Sequence, residues 1–343
     1  MTMRGICKYF PGVRALEKVD FTLRAGEVHA LVGENGAGKS TLIKVLTGVY
    51  GKDAGEITME GKAISPSSPL EAMKCGISTV YQEVNLCPNL TVAENIFIGR
   101  EPKKAGRIDW KTINRRAAEL LATLNLNIDV TKTLDSYSVA VQQMIAIARA
   151  VDVDAKVLIL DEPTSSLDEE ETQRLFDVVR KLKAQGLGIV FVSHFLDQIY
   201  ELCDQVTVLR NGELIGEYEV AALPRVELIS KMIGKELGDI QSMGKNENFG
   251  TDEILIEADG ISAFGRIQDF DLQIHKGEVV GFAGLLGSGR TETAELLSGV
   301  AKPEKGTLRM SGKDVHFASP LDAMQHKIGF CPEDRKIQGI IGD

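Results

Sequence analysis

The sequence has 343 residues, of which 43% are hydrophobic and 26% charged, and its net charge is −10. This balance is typical of a globular chain long enough for two domains, and an acidic excess without a basic stripe argues against a nucleic-acid partner. The five scattered cysteines favour reduced cytosolic thiols over a disulfide framework or a zinc site, and no apolar run approaches the roughly 18 residues of a membrane span.

A glycine-rich loop stands between the first clearly predicted strand and helix. The apolar run Glu27–Val32 has the length of a buried strand, and Thr41–Leu46 has helical periodicity. Between them the sequence fits G-x-x-x-x-G-K-[ST] at every fixed position. The loop consists of Gly33, Glu34, Asn35, Gly36, Ala37, Gly38, Lys39, Ser40 and Thr41. Strand, loop and helix in this order predict a phosphate-binding loop.

The residue types of this loop suit a nucleotide with Mg²⁺. Its three glycines let backbone N–H groups and the helix N-terminus approach negative charge without Cβ clashes. Lys39 supplies a positive charge near the β and γ phosphates, and the hydroxyl of Ser40 is placed to bind Mg²⁺. We therefore expect ATP or a related nucleotide here.

Before the phosphate loop, residues 1–6 leave little room for an opening strand. The elements that follow the loop alternate between helices and strands. Helical periodicity covers Asp109–Leu126, Val139–Val151 and Glu169–Gln185, short apolar runs predict strands at Val157–Leu160 and Gly188–Val192, and residues 206–216 read as a hairpin. This order predicts an α/β core of the P-loop NTPase type with a mostly parallel sheet.

A pair of acids follows the predicted strand Val157–Leu160. Asp161, at the carboxyl end of the strand, is placed to hold Mg²⁺ through water. Glu162, one residue further, is placed to polarise an attacking water. A charged turn that caps a helix is the alternative for Asp-Glu-Pro. The phosphate loop upstream favours the second half of an NTPase site.

The beginning of the chain recurs later in the sequence. Gly284 opens a second loop of the same form, 251 positions after Gly33, and the offset holds without gaps over a long stretch. The second loop contributes Gly284, Gly287, Gly289, Arg290 and Thr291 to the candidate nucleotide contacts. We predict a first domain at 1–237, a linker at 238–252, and an incomplete second copy at 253–343.

These motifs together resemble the ATP-binding cassette ATPases, along the whole chain. The resemblance implies that Gln82 contacts Mg²⁺ and the attacking water in the family's glutamine loop, and that His194 contacts the γ-phosphate. It also implies that Phe10 stacks on adenine and that Asp168 ends a loop crossing the interface between two cassettes. A core role is the alternative for Phe10.

The family's L-S-G-G-Q signature is the weakest match. The chain has Tyr137-Ser138-Val139-Ala140-Val141 there, so Ser138 survives but both glycines are replaced. In the family this serine and the backbone N–H groups after it bind ATP held by the opposite cassette. The second loop is also altered, with Arg290 where a lysine belongs and Glu333 in place of the glutamine equivalent to Gln82. We expect the second loop to hydrolyse nucleotide poorly.

This combination is similar to the monosaccharide-import ATPases of bacteria. The motifs Phe10–Leu16, Ser78–Leu86 and residues 331–336 are typical of that group, and residues 97–102 and 193–198 look closest to the galactofuranose importer's ATPase. The resemblance implies a peripheral protein on the cytoplasmic side of the inner membrane. Its partners would be transmembrane sugar permease subunits, a second cassette from its own or another chain, and indirectly a periplasmic sugar-binding protein.

Two alternatives stay open at this point. The second copy stops before its own signature and acidic pair, so the chain is expected to be a fragment of a longer protein; otherwise two chains must pair through Ser138. An ATP-binding fragment without turnover is one alternative to an active ATPase. A soluble cassette ATPase of translation or DNA repair is the other alternative. Such tandem proteins normally carry two sound cassettes and a charged helical linker, which this sequence lacks.

Overall fold

The computed structural model describes residues 1–81, 86–153, 155–234, 251–263, 265, 267–284, 287–332 and 339. The chain divides into two compact units, residues 1–242 (the N-terminal unit) and 243–343 (the C-terminal unit). No helix in the part of the chain that the structure describes has the length and apolar character to cross a membrane. Much of the predicted linker, residues 238–250, lies outside the described residues, and the domain bounds stay a prediction.

The N-terminal unit contains twelve strands and eight α-helices among its described residues. The strands are β1 (Thr2–Phe10), β2 (Val13–Thr22), β3 (Val28–Val32), β4 (Ala54–Met59), β5 (Lys62–Ile64), β6 (Ile77–Val80), β7 (Lys103–Lys104), β8 (Arg107–Ile108), β9 (Val157–Asp161), β10 (Gly188–Val192), β11 (Gln205–Arg210) and β12 (Glu213–Glu219). The helices are α1 (Lys39–Leu46), α2 (Pro69–Lys74), α3 (Val92–Phe97), α4 (Trp110–Thr123), α5 (Val139–Val151), α6 (Glu169–Ala184), α7 (Leu196–Leu202) and α8 (Arg225–Ile233).

The central sheet of this unit is mostly parallel, as predicted. Its strand order is β12-β11-β3-β10-β9-β6, and only β12 runs antiparallel to its neighbour. The hairpin β11–β12 turns at Asn211 and Gly212, which both have positive φ (52° and 81°) as a two-residue hairpin turn requires. A separate antiparallel sheet has the order β2-β1-β4-β5.

The central sheet is buried on both faces. In β3, Val28, Ala30 and Val32 pack in one hydrophobic cluster with α3–α8, while Leu31 packs in a second cluster with α1 and the antiparallel sheet. Side chains of a strand point alternately to opposite faces, so β3 is held between two cores. Every residue of β3 and β10 is buried, which fixes the strand ends that precede the phosphate loop and His194.

Several of the helices begin at a capping side chain. Asp168 caps α6, where its carboxylate accepts from the Glu171 N–H at 2.7 Å and the Glu171 carboxylate accepts from the Asp168 N–H at 3.2 Å. Such a reciprocal pair satisfies two free N–H groups of the first turn. Asp109 and Ser138 cap α4 and α5 in the same way with one bond each. The helices predicted over 109–126, 139–151 and 169–185 thus form with small changes at their ends.

The expectation of little room for an opening strand is wrong. Strand β1 begins at Thr2 and pairs with both β2 and β4. Register shifts interrupt its pairing between Met3 and Ile6 and again after Ile6, and Gly5 has φ 59°. These irregularities break the alternation by which a strand is recognised in a sequence.

The C-terminal unit repeats the antiparallel part of the first. Its elements are β13 (Ile254–Ala263), β14 (Ile267–His275), α9 (Arg290–Leu297), β15 (Lys305–Met310), β16 (Lys313–Asp314) and α10 (Pro320–Gln325). The sheet order β14-β13-β15-β16 matches β2-β1-β4-β5, and α9, β15 and α10 begin and end 251 positions after α1, β4 and α2. Leu296, Leu308 and Phe317 belong to its own core.

One part of the repeat differs in structure. Residues 279–283 correspond to β3 by the same offset, but they form no strand, and Val279 is 97% exposed. In the N-terminal unit β3 is held by β10 and β11. Counterparts of those two strands are not among the described residues of the C-terminal unit, so this apolar segment has no strand to pair with there.

Candidate nucleotide-binding site

The phosphate loop follows β3 and bends at three glycines. Gly33, Gly36 and Gly38 have φ of 151°, 83° and 107°, which favour glycine. A Cβ on Gly33 would clash with the carbonyl oxygen of Leu209, and a Cβ on Gly38 would lie 2.9 Å from the Ala15 carbonyl oxygen. A Cβ on Gly36 would meet nothing within 4 Å. Gly33 and Gly38 therefore fix the loop against the protein, whereas Gly36 faces open space.

Lys39 begins α1 and reaches back over the loop. Its Nζ donates to the carbonyl oxygens of Gly33 at 2.6 Å and Glu34 at 3.1 Å. An ammonium has three donors, so one remains for an anion in the loop. Ser40 and Thr41 follow in the first turn of α1, where backbone N–H groups lack helical partners.

Asp161, Glu162 and His194 lie at the carboxyl ends of adjacent parallel strands. Asp161 is the last residue of β9 and pairs with Val192 at the end of β10. The Glu162 N–H donates to the Val192 carbonyl at 2.9 Å, and Glu162 has a φ of 48°, unusual for a residue with a side chain. Nδ1 of His194 lies 3.5 Å from Oε1 of Glu162. The sheet thus brings three of the predicted residues together.

A cavity of about 620 Å³ joins Asp161 and Glu162 to the loop, and His194 does not belong to its lining. Its lining includes Phe10, residues 35–41, Asp161 and Glu162. Arg14 and Asn211 also line it, and neither was singled out as a site residue. The sequence signal for Asn211 was only a turn. It reaches the cavity because the N–H of the next residue, Gly212, donates to the Ala37 carbonyl at 3.0 Å.

Burial sets the electrostatics of the cavity. Desolvation, and then the neighbouring Glu162 carboxylate, raise the pKa of Asp161 above its ordinary value, although Lys39 and Lys44 oppose this. Desolvation also lowers the pKa of Lys39, against the attraction of Glu162 and Asp161. The Asp161 carboxylate and the Lys39 ammonium are thus both destabilised by burial. A cation beside Asp161 and an anion beside Lys39 would offset this.

Phe10 ends β1 at the other side of the cavity. Its ring meets that of Tyr50 edge-on, with centroids 5.2 Å apart, and Nζ of Lys8 lies 5.4 Å from its centroid. Phe10 is only half-buried. An aromatic face beside a phosphate loop suits a nucleobase.

Other predicted residues lie apart from this cavity or outside the described residues. Ser138 caps α5, where its Oγ accepts from the Val141 N–H at 3.4 Å, and Asp168 caps α6; neither lines the cavity. Gln82 and Glu333, which were predicted from the glutamine loop and its repeat, lie outside the described residues.

The second loop repeats the positive φ of the first at two of its three glycines, but not at Gly284, and its setting differs. Gly287 and Gly289 have φ of 76° and 90°, and Arg290 begins α9 as Lys39 begins α1. Gly284, Arg290 and Thr291 are exposed. The described residues of the C-terminal unit include no counterpart of Asp161 and Glu162.

The residues present fit a nucleotide with Mg²⁺. The open space at Gly36 admits a phosphate, and the Ser40 hydroxyl and Asp161 carboxylate both face the same cavity as hard oxygen donors. No group of three or more His, Cys, Asp or Glu that would hold a metal by themselves occurs among the described residues. Mg²⁺ usually takes one or two protein ligands together with substrate phosphates and water, and Ser40 and Asp161 would supply two such oxygen ligands.

Comparison with known proteins agrees with this geometry. The family model for ABC transporter matches residues 16–165 and 267–340, more than half of the sequence. The chain belongs to the ABC transporter family. The two matched stretches cover the two copies of the repeat, and membership implies ATP binding and hydrolysis as the chemistry of the family.

Similar curated proteins of this ABC family are named for sugars. The chain is 52% identical over 337 residues to the galactofuranose transporter ATP-binding protein of Escherichia coli. It is 50% identical to the fructose import ATP-binding protein of Bifidobacterium longum and 45% identical to a ribose import ATP-binding protein of Rubrobacter xylanophilus. The alignments cover 98–100% of this chain and 67–68% of those proteins. The predicted resemblance to monosaccharide-import ATPases is confirmed.

Solved structures of ABC cassettes share the fold. A nucleotide-free ATP-binding cassette from an ABC transporter has a TM-score of 0.59 at 27% identity, covering 68% of this chain and 94% of its own. A dimeric cassette in a post-hydrolysis state, bound to ADP and Pi, has a TM-score of 0.55 at 26% identity, covering 64% of this chain and 99% of its own. The predicted fold class is therefore confirmed.

Proposed function

We propose that this chain is the nucleotide-binding subunit of a bacterial monosaccharide importer and that its N-terminal unit hydrolyses ATP. The observation that carries the proposal is the single cavity lined by the phosphate loop, Asp161 and Glu162. A binding loop without an acidic pair would hold a nucleotide only. The loop together with a carboxylate at the end of the neighbouring strand supplies what water attack on a phosphate needs.

Each predicted site residue has a defined task in this proposal. Phe10 stacks on adenine, residues 33–41 surround the phosphates, and Lys39 donates to a phosphate oxygen. Mg²⁺, when bound, neutralises charge on the phosphates, and Ser40, Asp161 and Gln82 are its ligands directly or through water. Glu162 orients and polarises the attacking water. His194, 3.5 Å from Glu162, donates to the γ-phosphate.

A second cassette completes the site in this proposal. Ser138 and the loop ending at Asp168 lie outside the cavity, which suits residues that act on ATP held by a partner cassette. Val139 and Ala140 replace signature glycines and restrict the backbone approach to phosphate. Arg290 places a broad, planar guanidinium where the phosphate-loop motif has the compact ammonium of a lysine, so the second loop hydrolyses ATP poorly. Catalysis is concentrated at the N-terminal loop.

The permease partner is assigned to a groove of the N-terminal unit. This groove, of about 410 Å³, includes Leu70 and Ile98, which are 56% and 46% exposed, and buried Ser78, whose hydroxyl has no partner among the described residues. Exposed apolar side chains beside a free hydroxyl suit an amphipathic helix. The occupant in this proposal is a cytoplasmic helix of the permease, which keeps the subunit peripheral at the inner membrane.

The sugar itself lies beyond the reach of this subunit. The periplasmic binding protein and the permease contact it, so the cavity carries no sugar specificity. Relatives named for galactofuranose, fructose and ribose share these motifs, which supports a monosaccharide as the class. Galactofuranose is the sugar that we propose for the whole importer, because the galactofuranose transporter ATP-binding protein is 52% identical to this chain.

Hydrolysis of Mg-ATP by the purified chain, measured across protein concentration, tests the enzymatic part. Turnover that rises more than linearly with concentration indicates a working pair of cassettes. ATP binding without turnover would favour the alternative of an ATP-holding form and would refute hydrolysis by this chain alone.

Co-purification with the permease tests the transport part. Leu70→Glu should abolish retention, because it places a charge in the apolar groove. Leu321→Glu is the matched control, since Leu321 lies 251 positions later and is 65% exposed on the C-terminal unit. Equal loss with both variants, or with neither, would refute the groove as the docking site.

A further inference from the structure

A second cavity lies between α5 and α6, away from the nucleotide cavity. Ala140, Gln143 and Met144 line it from α5, and Glu171, Arg174, Leu175 and Val178 line it from α6. These positions have the spacing of three and four residues that marks one face of a helix. The cavity therefore lies between one face of α5 and one face of α6, and its volume is about 250 Å³.

Gln143 is the polar residue of interest in this cavity. It is only 4% exposed, and its Nε2 has no hydrogen-bond partner among the described residues. A buried donor without a partner is unfavourable, and native proteins rarely leave one unsatisfied. The adjacent Gln142 differs in this respect, because its Nε2 donates to the Tyr137 carbonyl at 2.9 Å and it does not line the cavity.

The charged groups of the lining are already engaged elsewhere. The Glu171 carboxylate accepts from the Asp168 N–H, Arg174 pairs with Glu170, and Asp177 pairs with Arg180 at 3.1 Å. The rest of the lining combines the polar residues Asn125 and Ser138 with apolar residues such as Leu124, Leu126, Leu167, Leu175 and Val178. Among the described residues, the buried Nε2 of Gln143 is thus an unpartnered donor beside apolar side chains, and the three charged groups named above are engaged elsewhere.

We propose that this cavity binds a small uncharged molecule with an apolar body and one oxygen acceptor, which takes a hydrogen bond from Nε2 of Gln143. A single water would satisfy the donor but occupies only about 30 Å³ of liquid volume, far less than the space present. Sites for small ligands are typically apolar cavities with a few placed polar groups. This cavity is distinct from the ATP cavity of the same unit, but its lining includes Ser138, which the proposed function assigns to ATP held by a partner cassette, so binding is tested without nucleotide.

Acetophenone is a suitable probe, and α-methylstyrene is its isostere without the oxygen. Binding is measured by saturation-transfer NMR titration without nucleotide. We expect acetophenone to bind the parent chain and to bind Gln143→Met about three- to tenfold more weakly, the effect of one hydrogen bond. Gln142→Met, the matched control, should leave the affinity unchanged. α-Methylstyrene should bind the parent chain and Gln143→Met equally.

Three results would overturn the proposal. They are absence of acetophenone binding to the parent chain up to its solubility limit, equal affinity in Gln143→Met, and equal weakening in Gln142→Met. Thermal unfolding of each variant verifies that the fold is retained. Since no nucleotide is present, a failure here is distinct from a failure of the proposed ATPase.

Discussion

Nδ1 of His194 lies 3.5 Å from Oε1 of Glu162. The two residues follow β10 and β9, which are adjacent and paired in parallel. Because both strands are buried, their carboxyl ends place the carboxylate and the imidazole at one edge of the sheet, with His194 in the short connection between β10 and α7. A carboxylate that polarises water and a histidine that contacts the γ-phosphate need such a fixed separation.

Glu162→Gln should lower ATP hydrolysis by about 10²–10⁴-fold, because the amide cannot accept a proton from the attacking water. The shape of the cavity is kept, so ATP affinity should stay close to that of the parent chain. Steady-state turnover and equilibrium binding of ATP measure the two effects. Parent-level turnover in the variant would show that Glu162 is not the base.

Phe10→Ala should weaken ATP binding by about 1–3 kcal/mol, the range for loss of one base–aromatic stack. Phe10→Tyr keeps the aromatic face and serves as the control. Fluorescence titration with an ATP analogue gives the affinities. If the alanine variant binds ATP as tightly as the parent, Phe10 is a packing partner of Tyr50 and not an adenine contact.

Two glycines of the phosphate loop should respond differently to alanine. Gly33→Ala should reduce the free energy of unfolding by about 3 kcal/mol or more, because its Cβ would clash with the Leu209 backbone. The Cβ that Gly36→Ala adds meets no neighbour within 4 Å. This variant should therefore lose only the free energy of holding alanine at a positive φ, about 1–2 kcal/mol. Urea unfolding compares them, and equal losses would contradict the close approach of Gly33 to Leu209.

Asp161→Asn should raise the melting temperature in the absence of Mg²⁺. The raised pKa of Asp161 means that folding disfavours its charged form, chiefly through desolvation. The destabilisation is present above the folded-state pKa, and it disappears as the pH falls below the ordinary aspartate range. The advantage of the variant should therefore be largest at neutral pH. Added Mg-ATP should stabilise the parent more than the variant, and calorimetry at several pH values checks both effects.

The sequence predicts the central sheet well because its strands are short apolar runs buried on both faces. Strand β10, Gly188–Val192, forms with the predicted bounds, and so does helix α5, Val139–Val151. Strand β1 was missed because bulges interrupt its alternation. Arg14 and Asn211 were missed as lining residues because their position depends on pairing between distant strands. Sequence motifs therefore predict candidate site residues but not all of the residues that line the cavity.

The exposed segment 279–283 affects how purified protein should be handled. An unpaired apolar stretch is a template for pairing with another molecule, and Val279 and Phe282 are 97% and 43% exposed. Self-association through it would also grow with concentration, as pairing of cassettes does. Val279→Lys should suppress such aggregation while leaving cassette pairing intact. Comparing the apparent molecular mass of this variant and the parent by light scattering distinguishes a cassette dimer from aggregates formed through segment 279–283.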